Sequence, residues 1–201
     1  MSSGRAEPAD FVDEALRIGA ALDVRFHDLK GDGVATSKDA AFRELFRILE
    51  ASGLEYALIG GVAVQLWSRE PRTTLDVDVA VRSYESVPRA VLEASGFRVL
   101  ARHAHSENWD GPGGTPVQFS DDPAFAFLIE SAVHRSFEGG RVRVASPLAL
   151  VKEKLRAASD PARRESKRFQ DLADAKGLAE EHTEVEERLT YAERELLRRT
   201  L

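Results

Sequence analysis

Two aspartates separated by one residue, Asp76 and Asp78, are the most constraining feature of this sequence because they interrupt the apolar run LDVDVAV. Side chains alternate across a strand, so Val77, Val79 and Val81 face one way and both carboxylates face the other. The carboxylates would then lie about 6 to 7 Å apart, which is unfavourable unless a cation lies between them. The pattern therefore predicts a divalent metal site. A charged edge strand, protected against pairing, is the alternative interpretation.

A glycine pair precedes this strand at a spacing that suits a phosphate-binding turn. Residues 56–59 are predicted to form a short buried strand, and Gly60 and Gly61 open a segment whose apolar residues recur at helical spacing. Glycine lets the backbone approach a ligand closely, and the free N–H groups at a helix start favour anions. Fourteen residues separate Gly61 from Asp76, enough for a helix of about three turns and a return loop. Taken alone, the glycine pair is equally consistent with a simple tight turn.

In this order, Gly-Gly followed by Arg-x-Thr-x-Asp-x-Asp resembles the signature of the DNA polymerase β-like nucleotidyltransferase superfamily. Within that superfamily the closest likeness is to the type IV abortive-infection toxin (AbiEii/AbiGii-like) group. The resemblance implies an NTP substrate and Mg²⁺ or Mn²⁺ held by Asp76 and Asp78. The residues that it places around the nucleotide are Gly60, Gly61, Arg72 and Thr74. Arginine also suits a second role for Arg72, which is to neutralise the aspartates.

The likeness spans residues 42–178 and includes a later segment, SPLALVKEKLRAASDPARRESKRFQDLADAKGL. It implies that Lys154 faces the nucleotide and that Asp171, in the DLAD sequence, is a second catalytic residue of this segment. From the residues alone, Ser146 and the following proline predict the start of the helix that carries Lys154.

The stretch 152–168 is rich in Lys and Arg, which is typical of a solvated helical face. We expect that setting for Lys152 and Arg163. Asp171 and Asp174 are three residues apart and share a helical face. Either could pair with Lys154 or reach the active site, and we favour Asp171 facing the site.

The segment TPVQFSDD departs from the superfamily pattern, because Gln118 stands where a third carboxylate is expected. Gln118 is predicted to share the pocket of Asp76 and Asp78 and to contact the nucleotide, but an amide cannot supply negative charge. Asp121 or Asp122 is a candidate replacement if the strand end is displaced. Both are equally explained as caps of a helix starting near residue 123. The departure puts catalytic activity in question and affects triphosphate binding less.

The composition indicates the size and the general class of the protein. The chain has 201 residues, of which 43% are hydrophobic and 31% charged, so one main domain with a full core is expected. The absence of cysteine excludes a disulfide framework and a thiolate metal centre. No signal peptide or membrane span is expected, which predicts a cytoplasmic location. The net charge of −6 argues against broad nucleic-acid affinity.

Strand patterns concentrate in the middle of the chain, and helical patterns flank them. We therefore predict an α/β (α+β) nucleotidyltransferase fold with a mixed central sheet and a helical C-terminal region. The predicted division is an N-terminal helical extension over 1–36, a core over 37–146 and a helical region over 147–201 packed on the core. Helices are predicted over 9–29, 38–52, 86–94 and 123–134, and strands over 97–101, 117–120 and 141–145.

Two hypotheses of function follow. The first is a metal-dependent nucleotidyltransferase that moves an NMP group from an NTP to a hydroxyl on RNA, tRNA included, or on protein; the resemblance adds a toxin role with a cognate antitoxin. The second is a catalytically weakened nucleotide-binding or protein-interaction module of the same fold, which Gln118 favours.

Overall fold

The structure is a computed structural model that describes residues 38–69, 74, 76–137 and 140–199. Its α-helices are α1 (Lys38–Ser52), α2 (Gly60–Trp67), α3 (Arg89–Ala94), α4 (Ala126–Glu130), α5 (Pro147–Ser159), α6 (Glu165–Glu181), α7 (Glu184–Glu187) and α8 (Tyr191–Leu197). Its strands are β1 (Tyr56–Ile59), β2 (Val77–Val81), β3 (Arg98–Arg102), β4 (Glu107–Gly111), β5 (Thr115–Ser120), β6 (Val133–Phe137) and β7 (Gly140–Val144). Short 3₁₀ turns cover Tyr84–Ser86 and Pro123–Phe125. The helix predicted over 9–29, and with it the extension 1–36, lies outside the described residues.

The strands form one mixed sheet in the order β3-β4-β5-β2-β1-β7-β6. The pairs β2–β5 and β1–β7 are parallel, and the other neighbours are antiparallel. The predicted α/β class, with a mixed sheet flanked by helices, is confirmed. The proposed division of the chain at residues 36/37 and 146/147 stays a prediction.

Strand β1 lies at the centre of the sheet, and this position explains its composition. Its four residues, YALI, are all buried, because strands pair on both edges of β1 and both faces are covered. Strand β2 alternates instead: Val77, Val79 and Val81 are buried in the core, whereas Asp78 on the opposite face is half-buried. The alternation predicted from the sequence is confirmed for these residues.

Two strands, β4 and β6, are not predicted from the sequence. Strand β4 reads ENWDG and is followed by a glycine-rich turn, which conceals a period-two pattern of buried Glu107 and Trp109 against half-buried Asn108 and Asp110. Strand β6 replaces the end of the helix predicted over 123–134, which stops at Glu130. The β6 sequence VHRSF has few apolar residues because β6 is an edge strand with mostly exposed side chains.

The end of α6 is fastened to the end of α2. The Glu181 carboxylate accepts hydrogen bonds from the Ser68 hydroxyl at 2.9 Å and from the Arg69 backbone N–H at 2.9 Å. The His182 ring contacts Trp67 edge-on and bonds the Trp67 carbonyl at 3.1 Å. These contacts satisfy backbone groups that a helix end leaves without partners. They also fix α6 relative to the helix that begins at the glycine pair.

None of the helices in the described part of the chain combines the length and the apolar character needed to cross a bilayer.

A substitution at Gly111, the last residue of β4, would test how the sheet packs against α3 and the loop that follows α3. A Cβ atom at this position would lie 2.6 Å from the ring of Phe97, which is buried. We expect Gly111→Ala to lower the free energy of unfolding by about 1 to 3 kcal/mol, as overpacked cores do, measured by urea denaturation. The matched control is Gly177→Ala inside α6, where an added Cβ meets nothing within 4 Å. That variant should gain about 0.5 to 1 kcal/mol. Equal unfolding midpoints for the two variants would contradict this packing.

Candidate active site

The centre of the site is a close approach between Gly60 and the Asp78 carboxylate. Strands β1 and β2 pair so that Ile59 lies opposite Asp78, and the chain turns into α2 at the next residue. Gly60 has φ of +65°, and a Cβ atom there would lie 1.9 Å from Asp78 Oδ2. Only glycine fits, because both the left-handed backbone and the neighbouring carboxylate exclude a side chain. The glycine pair is therefore not a simple turn, since it packs against one of the two aspartates.

Burial makes Asp78 electrostatically unusual. It raises the pKa of the Asp78 carboxyl to about 6, and the negative charge of Asp76 acts in the same direction. Lys154, Arg163 and Lys167 partly offset both effects, which means that their positive charges lie near the carboxylate. Asp76, by contrast, is exposed. A cation beside this carboxylate would offset the cost of burying its charge.

The pair Asp76 and Asp78 fits a magnesium site that shares its ion with a nucleotide. Mg²⁺ is commonly bound by one or two carboxylates together with phosphate oxygens. Among the described residues, no group of three or more acidic or histidine side chains converges to form a complete metal cage. The donors present therefore suit a metal ion that arrives with a triphosphate.

Gln118 lies beside Asp78, as the register predicted from the sequence requires. Strand β5 pairs with β2 so that Gln118 is directly opposite Asp78 and shares its face of the sheet. Its amide nitrogen donates to Asn108 Oδ1 at 3.0 Å, and Asn108 is in turn the partner of Gln118 on β4. The position expected for a third carboxylate is thus filled by an amide that is bonded to a second amide.

The two candidate replacements for that carboxylate lie at the other end of the strand. The Asp122 side chain caps the 3₁₀ turn by accepting the Ala124 N–H at 2.9 Å. Asp121 pairs with His105 at 3.2 Å. Because β5 runs parallel to β2, residue 121 lies about 10 Å beyond Gln118 along the strand, away from Gly60.

Lys154 reaches the site from α5, which begins where Ser146 accepts the Ala149 N–H, as predicted. Its ammonium group lies 2.9 Å from Asp171 Oδ1 and 2.8 Å from Asp174 Oδ2 on α6. The side chains of Asp171 and Asp174 are only 4% and 8% exposed. Asp171 is therefore a partner of Lys154, and its role in catalysis stays a prediction.

Arg163 is exposed, as expected for a solvated residue, but it also bonds to a buried carboxylate. Its Nε donates to Asp171 Oδ2 at 2.6 Å, so Arg163 joins the cluster formed by Lys154, Asp171 and Asp174. The sequence signal was weak, because Arg163 lies in a loop between α5 and α6 with no periodic pattern. Lys152 does point elsewhere, since its nearest ion-pair partner is Glu193 on α8 at 3.8 Å.

Thr74 and Arg72 are the remaining residues that the sequence predicts at the site. Thr74 is half-buried, and its hydroxyl lies 3.5 Å from the Asp76 carbonyl, next to the metal site. Arg72 lies outside the described residues, so its predicted contact with phosphate stays a prediction.

Solved structures with a similar fold are nucleotidyltransferases. The antibiotic-resistance factor ANT(2'')-Ia superposes with a TM-score of 0.56 at 17% identity, covering 82% of this chain and 91% of that chain. The lincosamide antibiotic adenylyltransferase LnuA, bound to lincomycin, superposes with a TM-score of 0.52 at 12% identity, covering 73% and 99%. The Megavirus polyadenylate synthase gives 0.51 at 12% identity over 90% of this chain and 39% of that chain.

This chain has a nucleotidyltransferase fold. The structures above show the fold alone, because their identity to this chain is 12 to 17%. No protein-family profile matches the sequence. No curated protein matches it either.

The raised pKa of Asp78 predicts how stability depends on pH in the absence of metal. Between its ordinary pKa and about 6, the folded chain holds a proton that the unfolded chain has released, so stability falls as pH rises through this window. Asp78→Asn removes the buried charge. In EDTA at pH 8 it should raise the free energy of unfolding by on the order of 1 to 2 kcal/mol, and the gain should shrink towards pH 4.

Glu107→Gln is the matched control, because its expected change in the free energy of unfolding has the opposite sign. Burial alone would raise the pKa of Glu107, but hydrogen bonds from Arg89 and Arg102 hold it below its ordinary value. This variant should lose stability at pH 8, and the loss should shrink as the pH falls below the ordinary pKa of a glutamate. A pH-independent gain for Asp78→Asn would show that Asp78 is not a buried, repelled carboxylate.

Lys154 and Lys152 lie two residues apart on α5 and allow a test of phosphate contact. Lys154→Gln keeps a hydrogen-bond donor for Asp171 and Asp174 and removes the positive charge. We expect it to weaken Mg²⁺–NTP binding by roughly 1.5 to 3 kcal/mol, the range for hydrogen bonds to charged groups, in isothermal titration calorimetry. Lys152→Gln should bind like the wild type. Equal losses in the two variants would show that Lys154 makes no phosphate contact of its own.

Proposed function

We propose that this chain is a metal-dependent nucleotidyltransferase, which moves an NMP group from an NTP to an acceptor hydroxyl and releases pyrophosphate. The single observation that carries this proposal is the Asp78 carboxylate packed against Gly60 at the start of α2, with the cations of α5 and α6 nearby. A carboxylate pair, a helix start and a set of cations in one place form a site for a metal-bound triphosphate.

Each part of the site has a defined task in this reaction. Mg²⁺ bound by Asp76 and Asp78 would stabilise the negative charge of the triphosphate. The backbone at Gly60 and Gly61 presents N–H groups to phosphate oxygens. Lys154, held in place by Asp171 and Asp174, supplies positive charge where pyrophosphate departs. The acceptor oxygen bonds to the phosphorus nearest the ribose, the bond from that phosphorus to pyrophosphate breaks, and the hydroxyl proton passes to a base.

For the acceptor we propose RNA, with tRNA included, or a protein. The resemblance to abortive-infection toxins supports this choice and also supports a cognate antitoxin as a partner. The overall charge of −6 means that RNA would have to be bound through the local basic residues of α5 and α6, with a strong dependence on salt.

A weakened nucleotide-binding or protein-interaction module is the second candidate. The observation that favours it is Gln118, whose amide occupies the position opposite Asp78 and is bonded to Asn108. In this case the chain would bind Mg²⁺–NTP without transferring the nucleotide.

One experiment separates these functions. The purified chain is incubated with Mg²⁺ and each α-³²P-labelled NTP in turn, together with total tRNA, cellular protein, tobramycin or lincomycin. Label retained on tRNA or protein supports the proposed acceptors, and label on an antibiotic moves the acceptor to small molecules. Binding of NTP without labelled product supports the second candidate.

Nucleotide binding itself predicts a thermal shift. Mg²⁺–NTP should raise the melting temperature, because a ligand that binds only the folded state stabilises it by mass action. Asp78→Asn should abolish the magnesium-dependent part of this shift, whatever its effect on the apo protein. Asp121→Asn, at the opposite end of the sheet, should keep the whole shift. Loss in both variants, or in neither, would remove Asp78 from the metal site.

A further inference from the structure

Transfer to a hydroxyl requires a group that takes the hydroxyl proton, and the site described so far does not contain one. A positioned general base contributes about 10² to 10⁴ in rate. Gln118 cannot accept a proton at neutral pH, and Asp76 and Asp78 are assigned to the metal. Asp171 and Asp174 are buried and paired with Lys154. A further carboxylate on the same face of the sheet would supply the missing proton acceptor.

Strand directions show which end of the sheet faces the nucleotide. Gly60 follows the C-terminal end of β1, and Asp76 precedes the N-terminal end of β2. Strand β5 runs parallel to β2, so its N-terminal end lies here too. Strand β4 runs antiparallel to β5, which brings its C-terminal end, Asp110 and Gly111, to the same end.

The register then places Asp110 in the row of Asp76. Val77 pairs with Val117, so Asp76 falls opposite Pro116, and Pro116 is the partner of Asp110 on β4. The Gln118–Asn108 bond shows that these positions of β5 and β4 share the face of Asp78. Asp110, two residues after Asn108, therefore points to the same side.

The spacing leaves room for an acceptor. Asp76 and Asp110 are separated by two strand spacings, which is about 10 Å between their backbones. Pro116, between them, has no side-chain donor or acceptor and no long side chain. An acceptor hydroxyl must lie about 3 Å from its base and about 3 to 3.5 Å from the phosphorus that it attacks. Both distances fit within this gap.

Asp110 also has the environment of an accessible, oriented base. Its side chain is 28% exposed and accepts a hydrogen bond from Arg98 at 3.0 Å. Arg98 is 77% exposed, so the pair is accessible from solvent. A base that is oriented by a second side chain is a recurrent arrangement in catalysis.

We propose that Asp110 is the carboxylate that accepts the proton of the acceptor hydroxyl. In this arrangement the base function lies one strand further from β2 than Gln118, on β4. The inference rests on the proposed function. It adds a catalytic residue on the acceptor side, which neither the sequence motifs nor the similar structures assign.

The test compares Asp110→Asn with Asp121→Asn. Both aspartates are partly exposed and lie within hydrogen-bond distance of a nitrogen-bearing side chain, Arg98 and His105 respectively, but Asp121 lies at the opposite end of the sheet. Transfer of label from α-³²P-NTP to total tRNA, cellular protein or water is measured with Mg²⁺, and NTP binding is measured by calorimetry. Asp110→Asn should lower transfer about 100-fold or more and leave the Kd for Mg²⁺–NTP within about threefold. Asp121→Asn should match the wild type in both measurements.

A second variant separates base chemistry from folding. Adding Gln118→Asp to Asp110→Asn restores a carboxylate on the same face and should recover at least about tenfold of the lost transfer. The inference is overturned if Asp110→Asn transfers at the wild-type rate, or if it loses NTP binding together with transfer. It is also overturned if the wild type is inactive and Gln118→Asp alone creates activity. Failure of the wild type to bind Mg²⁺–NTP would instead refute the proposed function itself.

Discussion

The site depends on one steric constraint, the contact between the Gly60 backbone and the Asp78 carboxylate. The pairing of Ile59 with Asp78 brings together the turn and the strand that carries the aspartates, and the positive φ of Gly60 directs the chain into α2 without a side chain in the way. A residue with a Cβ atom would collide with Asp78. The carboxylate is thereby held next to the helix start, where a phosphate and its metal ion can share it.

The acidic and the basic groups of the site lie on different parts of the fold. The sheet carries the acidic groups, Asp76 and Asp78, and the burial of Asp78 is unfavourable without a cation. Helix α5 carries Lys154 and the loop between α5 and α6 carries Arg163, and their shared buried partner Asp171 keeps both in place. Breaking such a buried pair is strongly destabilising, because it leaves an uncompensated charge. The same helix α6 is fastened to the end of α2 through Glu181, so the cations and the glycine turn are held in one arrangement.

Much of this arrangement could be predicted from sequence because its signals are local. The alternation around Asp76 and Asp78, the glycine pair before α2 and the Ser146 cap before α5 each depend on neighbouring residues, and the structure has all three. The position of Gln118 opposite Asp78 also follows from a short strand pattern. Strands β4 and β6 were missed, because one mixes buried Glu107 and Trp109 with polar residues and the other is an exposed edge.

The sequence by itself determined the local groups on which the proposed chemistry rests: two carboxylates on one face of a strand, a glycine turn and a later lysine. It could not determine which distant residues meet. Only the tertiary structure brought Arg163 to Asp171, bonded Gln118 to Asn108 and placed Asp110 at the same end of the sheet as Gly60 while leaving Asp121 at the other. The physical reason is that strand order and strand direction are set by pairing between segments far apart in the chain, and no local pattern encodes them.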